Sequence, residues 1–154
     1  MTSMFPPPSI IPKAYWPDTV VNRSLKFVLD LFKVLLILVV GYLSWRPSPM
    51  MEEIPWIPSF LGIWADEFVR ARTAVPFVAL GFLNGLTQVV RKAGIVDFAR
   101  SALAYLGLAV VVELVQVFIP SRHCDVQDML WAVLGTMLGQ APGLAYVRHQ
   151  DKNL

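Results

Sequence analysis

Four charged side chains, together with the amide of Gln116, interrupt an apolar stretch of the sequence, VELVQVFIPSRHCDVQDML, at residues 112–130. Glu113 and Gln116 are three residues apart, so they share one face of a helix. Arg122 follows, and then Asp125 and Asp128, again three residues apart, open the next apolar run. An isolated charge within hydrocarbon costs on the order of 3 kcal/mol. These groups must therefore be paired, hydrated or protonated.

The spacing of the five residues allows them to satisfy one another. A short turn after Pro120 makes the two apolar runs antiparallel neighbours, and the guanidinium of Arg122 could then bind Glu113 or the aspartates. The alternatives are structural. Asp125 could cap the following helix, Asp128 could offset the helix dipole, and the whole cluster could be polar packing between helices.

The elements that carry this cluster are predicted to be membrane-spanning helices. The 154-residue chain is 56% hydrophobic and 16% charged, against about 25% charged residues in soluble domains. The apolar residues form four blocks, each long enough to cross a bilayer. The sequence predicts an all-α, polytopic membrane protein with four transmembrane helices, over residues 25–45, 75–90, 99–119 and 128–147.

Two prolines locate the cluster within these spans. Pro76 is expected in the first turn of the second span, where a missing N–H costs nothing. Pro120 is expected to end the third span, which would place Glu113 about 10 Å inside its outer end. Between the first two spans, residues 58–71 predict either a short interfacial helix or a loop with aromatic side chains at the headgroup layer.

The distribution of lysine and arginine predicts the orientation and the organisation of the chain. Eight of these residues fall on the side of the termini and four on the other, so both termini should face the cytoplasm. We expect a proline-rich arm at residues 1–24, a membrane domain at 25–147 and a tail at 148–154. The arm lacks the apolar core of a signal peptide, and the first span is expected to direct insertion.

Several function classes are excluded or disfavoured by the composition. A net charge of +2 without basic runs argues against nucleic acid. Cys124 is the only cysteine, so no intrachain disulfide forms. His123 and Cys124 are adjacent and make a poor zinc site, so no metal or other cofactor is expected. Magnesium held by the three acids is an alternative.

Other residues within the spans are predicted to pack helices. Gly135, Gly139 and Gly143 form a small-residue face on the fourth span, and Asn84 and Gln88, with Thr87, favour interhelical hydrogen bonds in the second. Asp30 and Lys33 predict a self-neutralising pair on the first span, or else part of an ion path.

The order Glu113, Gln116, Arg122, Asp125, Asp128, Gly135 and Gly139, together with Pro76 in VPFVALGFLNGL, resembles the VanZ-like family of membrane proteins. The resemblance covers roughly residues 70–145. Its founding member is associated with low-level teicoplanin resistance, which implies a role in the cell envelope. The family often has asparagine where this chain has Ala132, and near the position of Arg70.

Three functions are compatible with these patterns. The cluster could recognise an anionic lipid or a lipid-linked saccharide at the outer leaflet, with Arg122 binding phosphate, and so affect glycopeptide susceptibility. The chain could instead be an accessory subunit of a larger membrane complex, docked through its proline-rich arm. Acids with opposed pKa shifts could also catalyse a reaction on lipid phosphate, although no nucleophile–base signature supports an enzyme.

Overall fold

The computed structural model describes residues 18–48, 50–120 and 124–151, and this part of the chain is helical and without strands. The helices are α1 (Asp18–Trp45), α2 (Ser59–Glu67), α3 (Val69–Val90), α4 (Ile95–Gln116) and α5 (Val126–Asp151). All but α2 are long and apolar enough to cross a membrane. The predicted all-α membrane fold with four spans is confirmed.

The four long helices form a bundle in which the ends next to α2 meet. The indole N–H of Trp45, at the end of α1, donates to the carbonyl of Val112 in α4 over 3.4 Å. The hydroxyl of Thr73, near the start of α3, donates to Asp128 in the first turn of α5 over 3.1 Å. We call this the α2 end, and the opposite end, where α3 turns into α4, the turn end.

The closest helix pair is α3 with α5, and glycine makes this contact possible. A Cβ atom on Gly135 would lie 2.5 Å from the carbonyl oxygen of Ala74, and one on Gly143 would lie 2.9 Å from that of Gly85. Gly139 on α5 approaches the carbonyl of Val78 still more closely. The small-residue face predicted on the fourth span therefore packs directly against the backbone of α3.

The outside of the bundle is apolar and its buried core is small. Leu80 and Ala132 are almost fully buried, and Phe77 packs with them. Large side chains such as Phe27, Leu103 and Leu138 remain more than 65% exposed on the spans. In water this surface would be a large unpartnered apolar area, whereas in a bilayer it faces lipid.

The second span begins six residues earlier than predicted. A single residue, Phe68, separates α2 from α3, and α3 starts at Val69. Pro76 thus lies about two turns inside the helix rather than in its first turn. Because proline has no N–H, the carbonyl of Arg72 receives no helical hydrogen bond from it. The segment predicted as an interfacial helix or a loop does form a helix, but a shorter one, because α2 ends at Glu67.

The third span ends earlier than predicted. After Gln116 the amides of Val117, Phe118 and Ile119 each bond to the carbonyl three residues before, so the chain tightens into a turn ahead of Pro120. Pro120 has no N–H to donate to the carbonyl of Gln116, so the α-helical hydrogen bonds cannot continue through it. Glu113 therefore lies in the last turn of α4, three residues before its end, and its depth in a bilayer stays a prediction.

Candidate ligand-binding site

A cavity of about 70 Å³ opens between the four long helices at the α2 end. Its apolar wall comes from residues such as Phe77 and Val112, which belong to the core of the bundle. Its polar lining is contributed by all four spans: Ser44, Arg72, Thr73, Glu113, Gln116 and Asp128. The structure thus brings three of the five predicted cluster residues to one enclosed space.

Glu113 is buried, with 4% of its surface exposed, and it joins α4 to the beginning of α5. Its Oε2 atom accepts a hydrogen bond of 3.1 Å from the backbone N–H of Asp125. That amide belongs to a helix start, where N–H groups lack partners inside the helix. The carboxylate therefore supports the hairpin as well as lining the cavity.

The two aspartates take different roles. Asp125 caps α5, because its Oδ1 atom accepts from the backbone N–H of Gln127 over 2.8 Å. The side chain of Asp125 is not part of the cavity wall. Asp128, one turn further, lines the cavity and accepts the hydrogen bond from Thr73 of α3.

Gln116 differs from its neighbours in the cavity. The residue is 93% buried, yet its side-chain amide makes no hydrogen bond with any residue that the structure describes. Because no fully enclosed side-chain polar atom in the described chain lacks a partner, the amide is reachable from the cavity. It is therefore a group that a ligand or water can satisfy.

Arg72 was not identified as a site residue from the sequence, where it counted only as a charge for orientation. Its guanidinium lies 3.3 Å from Asp66, across the break between α2 and α3. Asp66 also accepts from the backbone N–H groups of Met51, at 2.8 Å, and Glu52, at 3.1 Å. Met51 lines the cavity, so this ion pair holds the segment after α1 against the site.

One signal in the sequence could have pointed to Arg72. An arginine in the first turn of an apolar helix, four residues before a proline, lies on the same face of the helix as that proline. Both Arg72 and Pro76 line the cavity. The pattern was missed because the helix was expected to start only at Val75.

A polar network ties three helices together nearer the turn end. The Asn84 amide of α3 donates to the Ser101 hydroxyl of α4 over 2.8 Å, and Gln140 of α5 donates to the same oxygen over 3.2 Å. Gln88 donates to the backbone carbonyl of Asp97 over 3.5 Å. These contacts are interhelical hydrogen bonds of the kind expected for Asn84 and Gln88.

The chain was compared with known proteins. The family model described as VanZ/LLP1 matches residues 10–145. The chain belongs to the VanZ/LLP1 family. No curated protein and no solved structure matches it. The resemblance inferred from the polar cluster is thereby confirmed, and the match includes every residue that lines the cavity of this VanZ/LLP1 protein.

Two family positions bear on the cavity. Arg122 lies outside the described residues, so its predicted contact with Glu113 or the aspartates stays a prediction. Ala132, where VanZ-like proteins often have asparagine, is 1% exposed and lines the cavity. The chain therefore places a methyl group in this part of the cavity lining, where the resemblance implied an amide.

A metal ion held by the three acids was one alternative that the sequence left open. Within residues 18–48, 50–120 and 124–151, no three side chains of His, Cys, Asp or Glu come close enough to share a metal ion. Glu113 and Asp128 share the cavity, whereas the carboxylate of Asp125 is used by the helix cap. Two acids of the cluster therefore line the cavity, whereas the third caps α5.

Proposed function

We propose that this VanZ/LLP1 membrane protein binds the polar headgroup of an anionic lipid or a lipid-linked saccharide in the cavity at the α2 end. The observation that carries the proposal is the buried amide of Gln116, which faces the cavity without a hydrogen-bond partner in the described chain. A site built to hydrogen-bond a ligand leaves such groups unpaired when it is empty.

The lining suits a headgroup that carries both hydroxyl groups and phosphate. The carboxylates of Glu113 and Asp128 can accept hydrogen bonds from sugar or glycerol hydroxyls, and Gln116 can both donate and accept. Phosphate would bind a guanidinium, which Arg122 in the α4–α5 connection can supply. Because pockets for drug-sized ligands are roughly 300–1,000 Å³, only a small part of the headgroup would enter the cavity.

The proposal includes an orientation for the bundle. More of the described lysines and arginines lie at the turn end, including the adjacent end of α1, than at the α2 end. The α2 end has Arg46, Arg70 and Arg72. Basic residues favour the cytoplasmic side, so the cavity would open toward the outer leaflet of the cell membrane. A headgroup held there could alter the exposure of cell-wall precursors to glycopeptides.

The test compares two glutamine substitutions in the purified protein, reconstituted in nanodiscs. Gln116→Met keeps the side-chain length but removes the amide, whereas Gln127→Met makes the same change on an exposed side chain at the start of α5. We expect Gln116→Met to weaken binding of a polyprenyl-pyrophosphate disaccharide, or of phosphatidylglycerol, about tenfold. Gln127→Met should bind like the unmodified protein.

The outcomes of this test are distinct. Preference for one of the two probes identifies the source of the phosphate headgroup. Equal binding by Gln116→Met and Gln127→Met would contradict the proposal, as would an unmodified protein that binds neither probe. In cells, Gln116→Met should abolish any effect of the protein on glycopeptide susceptibility without lowering its abundance in the membrane.

The role of Arg122 has its own test. Arg122→Lys keeps the charge but loses the planar pair of donors that binds phosphate or carboxylate. We expect the variant to insert and accumulate normally and to lose binding of the pyrophosphate-linked saccharide. Normal binding by Arg122→Lys would remove this residue from the proposed site.

A further inference from the structure

A second cavity lies at the turn end of the bundle, on the far side from the polar cluster. It is open, has a volume of about 570 Å³, and is formed by the end of α3, the connection to α4 and the first turns of α4. Its rim includes Arg91, Lys92 and Arg100, and its floor includes Gln88 and Ser101. The proposed headgroup site uses none of these residues.

The charge of this cavity is positive. Among the side chains that the structure describes, Asp97 is the only acid in its lining, against three basic ones. The Asp97 carboxylate already accepts from the backbone N–H of Gly94 over 3.2 Å and lies 3.6 Å from the guanidinium of Arg100. The lining therefore keeps an excess of two positive charges, and Arg91 and Lys92 are exposed at its mouth.

The floor of the cavity is held in place by the polar network of the bundle. Ser101 accepts from Asn84 and Gln140 and donates to the carbonyl of Phe98 over 2.8 Å. The backbone N–H groups of Lys92 and Ala93 are used to close the end of α3, since they bond to the carbonyls of Val89 and Gln88. An anion at this place would therefore be bound by side chains.

A mostly apolar groove adjoins this cavity at the turn end of the bundle. It shares Lys92, Ala93 and Gly94 with the cavity and is completed by Val89 of α3 and by Tyr146, Val147 and Gln150 of α5. Tyr146 is 53% exposed there. A basic pocket at the end of a span, joined to an apolar groove beside the same span, matches the two parts of a phospholipid.

We infer that the turn end of the bundle is a binding site for an anionic phospholipid. The phosphate lies among the side chains of Arg91, Lys92 and Arg100, and an acyl chain follows the groove past Val89 and Val147. Charge complementarity selects an anionic headgroup over a zwitterionic one, and the groove selects a lipid over a soluble phosphate.

The experiment measures lipid binding to the full-length protein after removal of bound lipid in detergent. Phosphatidylglycerol and phosphatidylcholine are titrated separately, and bound lipid is counted by native mass spectrometry. We expect at least a fivefold preference for phosphatidylglycerol. In the Gln116→Met background, which weakens the headgroup site at the α2 end, the double variant Arg91→Gln and Arg100→Gln should bind both lipids equally. Lys92 is left unchanged, so that the variant tests the two arginines alone.

The matched control removes two positive charges elsewhere near the same membrane surface. Arg23 and Arg148 are exposed and do not line the cavity, so Arg23→Gln with Arg148→Gln should keep the preference for phosphatidylglycerol. Equal loss in both double variants would overturn the inference in favour of diffuse attraction by surface charge. Lack of any preference in the unmodified protein would also overturn it.

A competition arm tests the groove. Glycerol 1-phosphate carries the phosphate of the lipid but has no acyl chain. It should fail to displace phosphatidylglycerol even at a hundredfold excess. Displacement by this soluble compound would show that the site binds phosphate alone, and the phospholipid assignment would then be wrong.

Discussion

Asp125 and Glu113 show that part of the polar cluster supports the fold. Asp125 gives its carboxylate to the N–H of Gln127 and its own N–H to Glu113. Each bond satisfies a donor at the start of α5 that the helix itself leaves unpaired. The cluster is thus partly a helix cap. Experiments that substitute its residues must therefore distinguish a loss of stability from a loss of ligand binding.

Asp125→Asn should retain both the stability of the protein and its binding of headgroups, because asparagine caps a helix about as well as aspartate. Asp125→Ala should lower the free energy of unfolding by about 1 kcal/mol. Thermal unfolding in detergent measures the stability, and the nanodisc binding assay measures function. A stable Asp125→Asn protein that fails to bind would mean that the charge of Asp125 contacts the ligand.

Asp66 holds the segment between α1 and α2 over the cavity. Its carboxylate accepts from the N–H groups of Met51 and Glu52 and contacts Arg72. Asp66→Ala should release this segment and cost about 1–3 kcal/mol. Hydrogen exchange of the amides at residues 51 and 52 should become faster. Glu67→Ala, at the exposed neighbouring position, should leave that exchange unchanged.

At the scale of helices, the packing of α3 on α5 depends on positions where no side chain fits. A Cβ atom at Gly139 would overlap the backbone of α3 near Val78, whereas one at Gly107 on α4 would meet nothing within 4 Å. The two glycines belong to similar apolar sequences, yet only Gly139 faces another helix. Gly107 is therefore a suitable control position for a substitution at Gly139.

Gly139→Ala should separate α3 from α5 and destabilise the bundle by about 3 kcal/mol, the range found for overpacked contacts. Gly107→Ala should leave the unfolding temperature unchanged or raise it, since alanine favours helix by up to about 1 kcal/mol. Unfolding of both proteins in the same detergent gives the comparison. Similar unfolding temperatures for the two variants would contradict the packing of α3 on α5.

The number and type of the elements could be predicted from the sequence, but the boundaries and partners of the helices could not. Four apolar blocks were enough to predict four spanning helices, since an apolar segment that crosses hydrocarbon must satisfy its own backbone hydrogen bonds. The start of α3 was misplaced because Pro76 suits a first turn, although it is tolerated inside a membrane helix. The pairing of Gly139 with Val78 is a contact between distant segments, which spacing alone does not encode.

The cavity could be predicted only in part for the same reason. Glu113, Gln116 and Asp128 were found because charges and amides are rare in apolar sequence. Arg72 and Ser44 come from two other spans, and their place in the lining follows from how the helices are arranged. Asp125 was correctly considered as a cap, and only the hydrogen bond to Gln127 distinguishes that role from ligand binding.

At the scale of the whole molecule, the proposed orientation can be tested with the single cysteine. Cys124 is exposed at the α2 end, where α5 begins. If this end faces outward, a membrane-impermeant maleimide should label Cys124 in intact spheroplasts. A Cys124→Ser protein that carries Arg148→Cys, at the far end of α5, should be labelled only after the membrane is opened. The reverse pattern would invert the proposed topology.

The glycine contact between α3 and α5 also has a consequence for biosynthesis. These two helices are not consecutive, and α4 is synthesised between them. The tightest contact of the bundle can therefore form only after the last span has left the ribosome and entered the bilayer. Until then α3 presents Gly81 and Gly85 to lipid or to other nascent helices, so the bundle stays incompletely packed while α4 and α5 are translated.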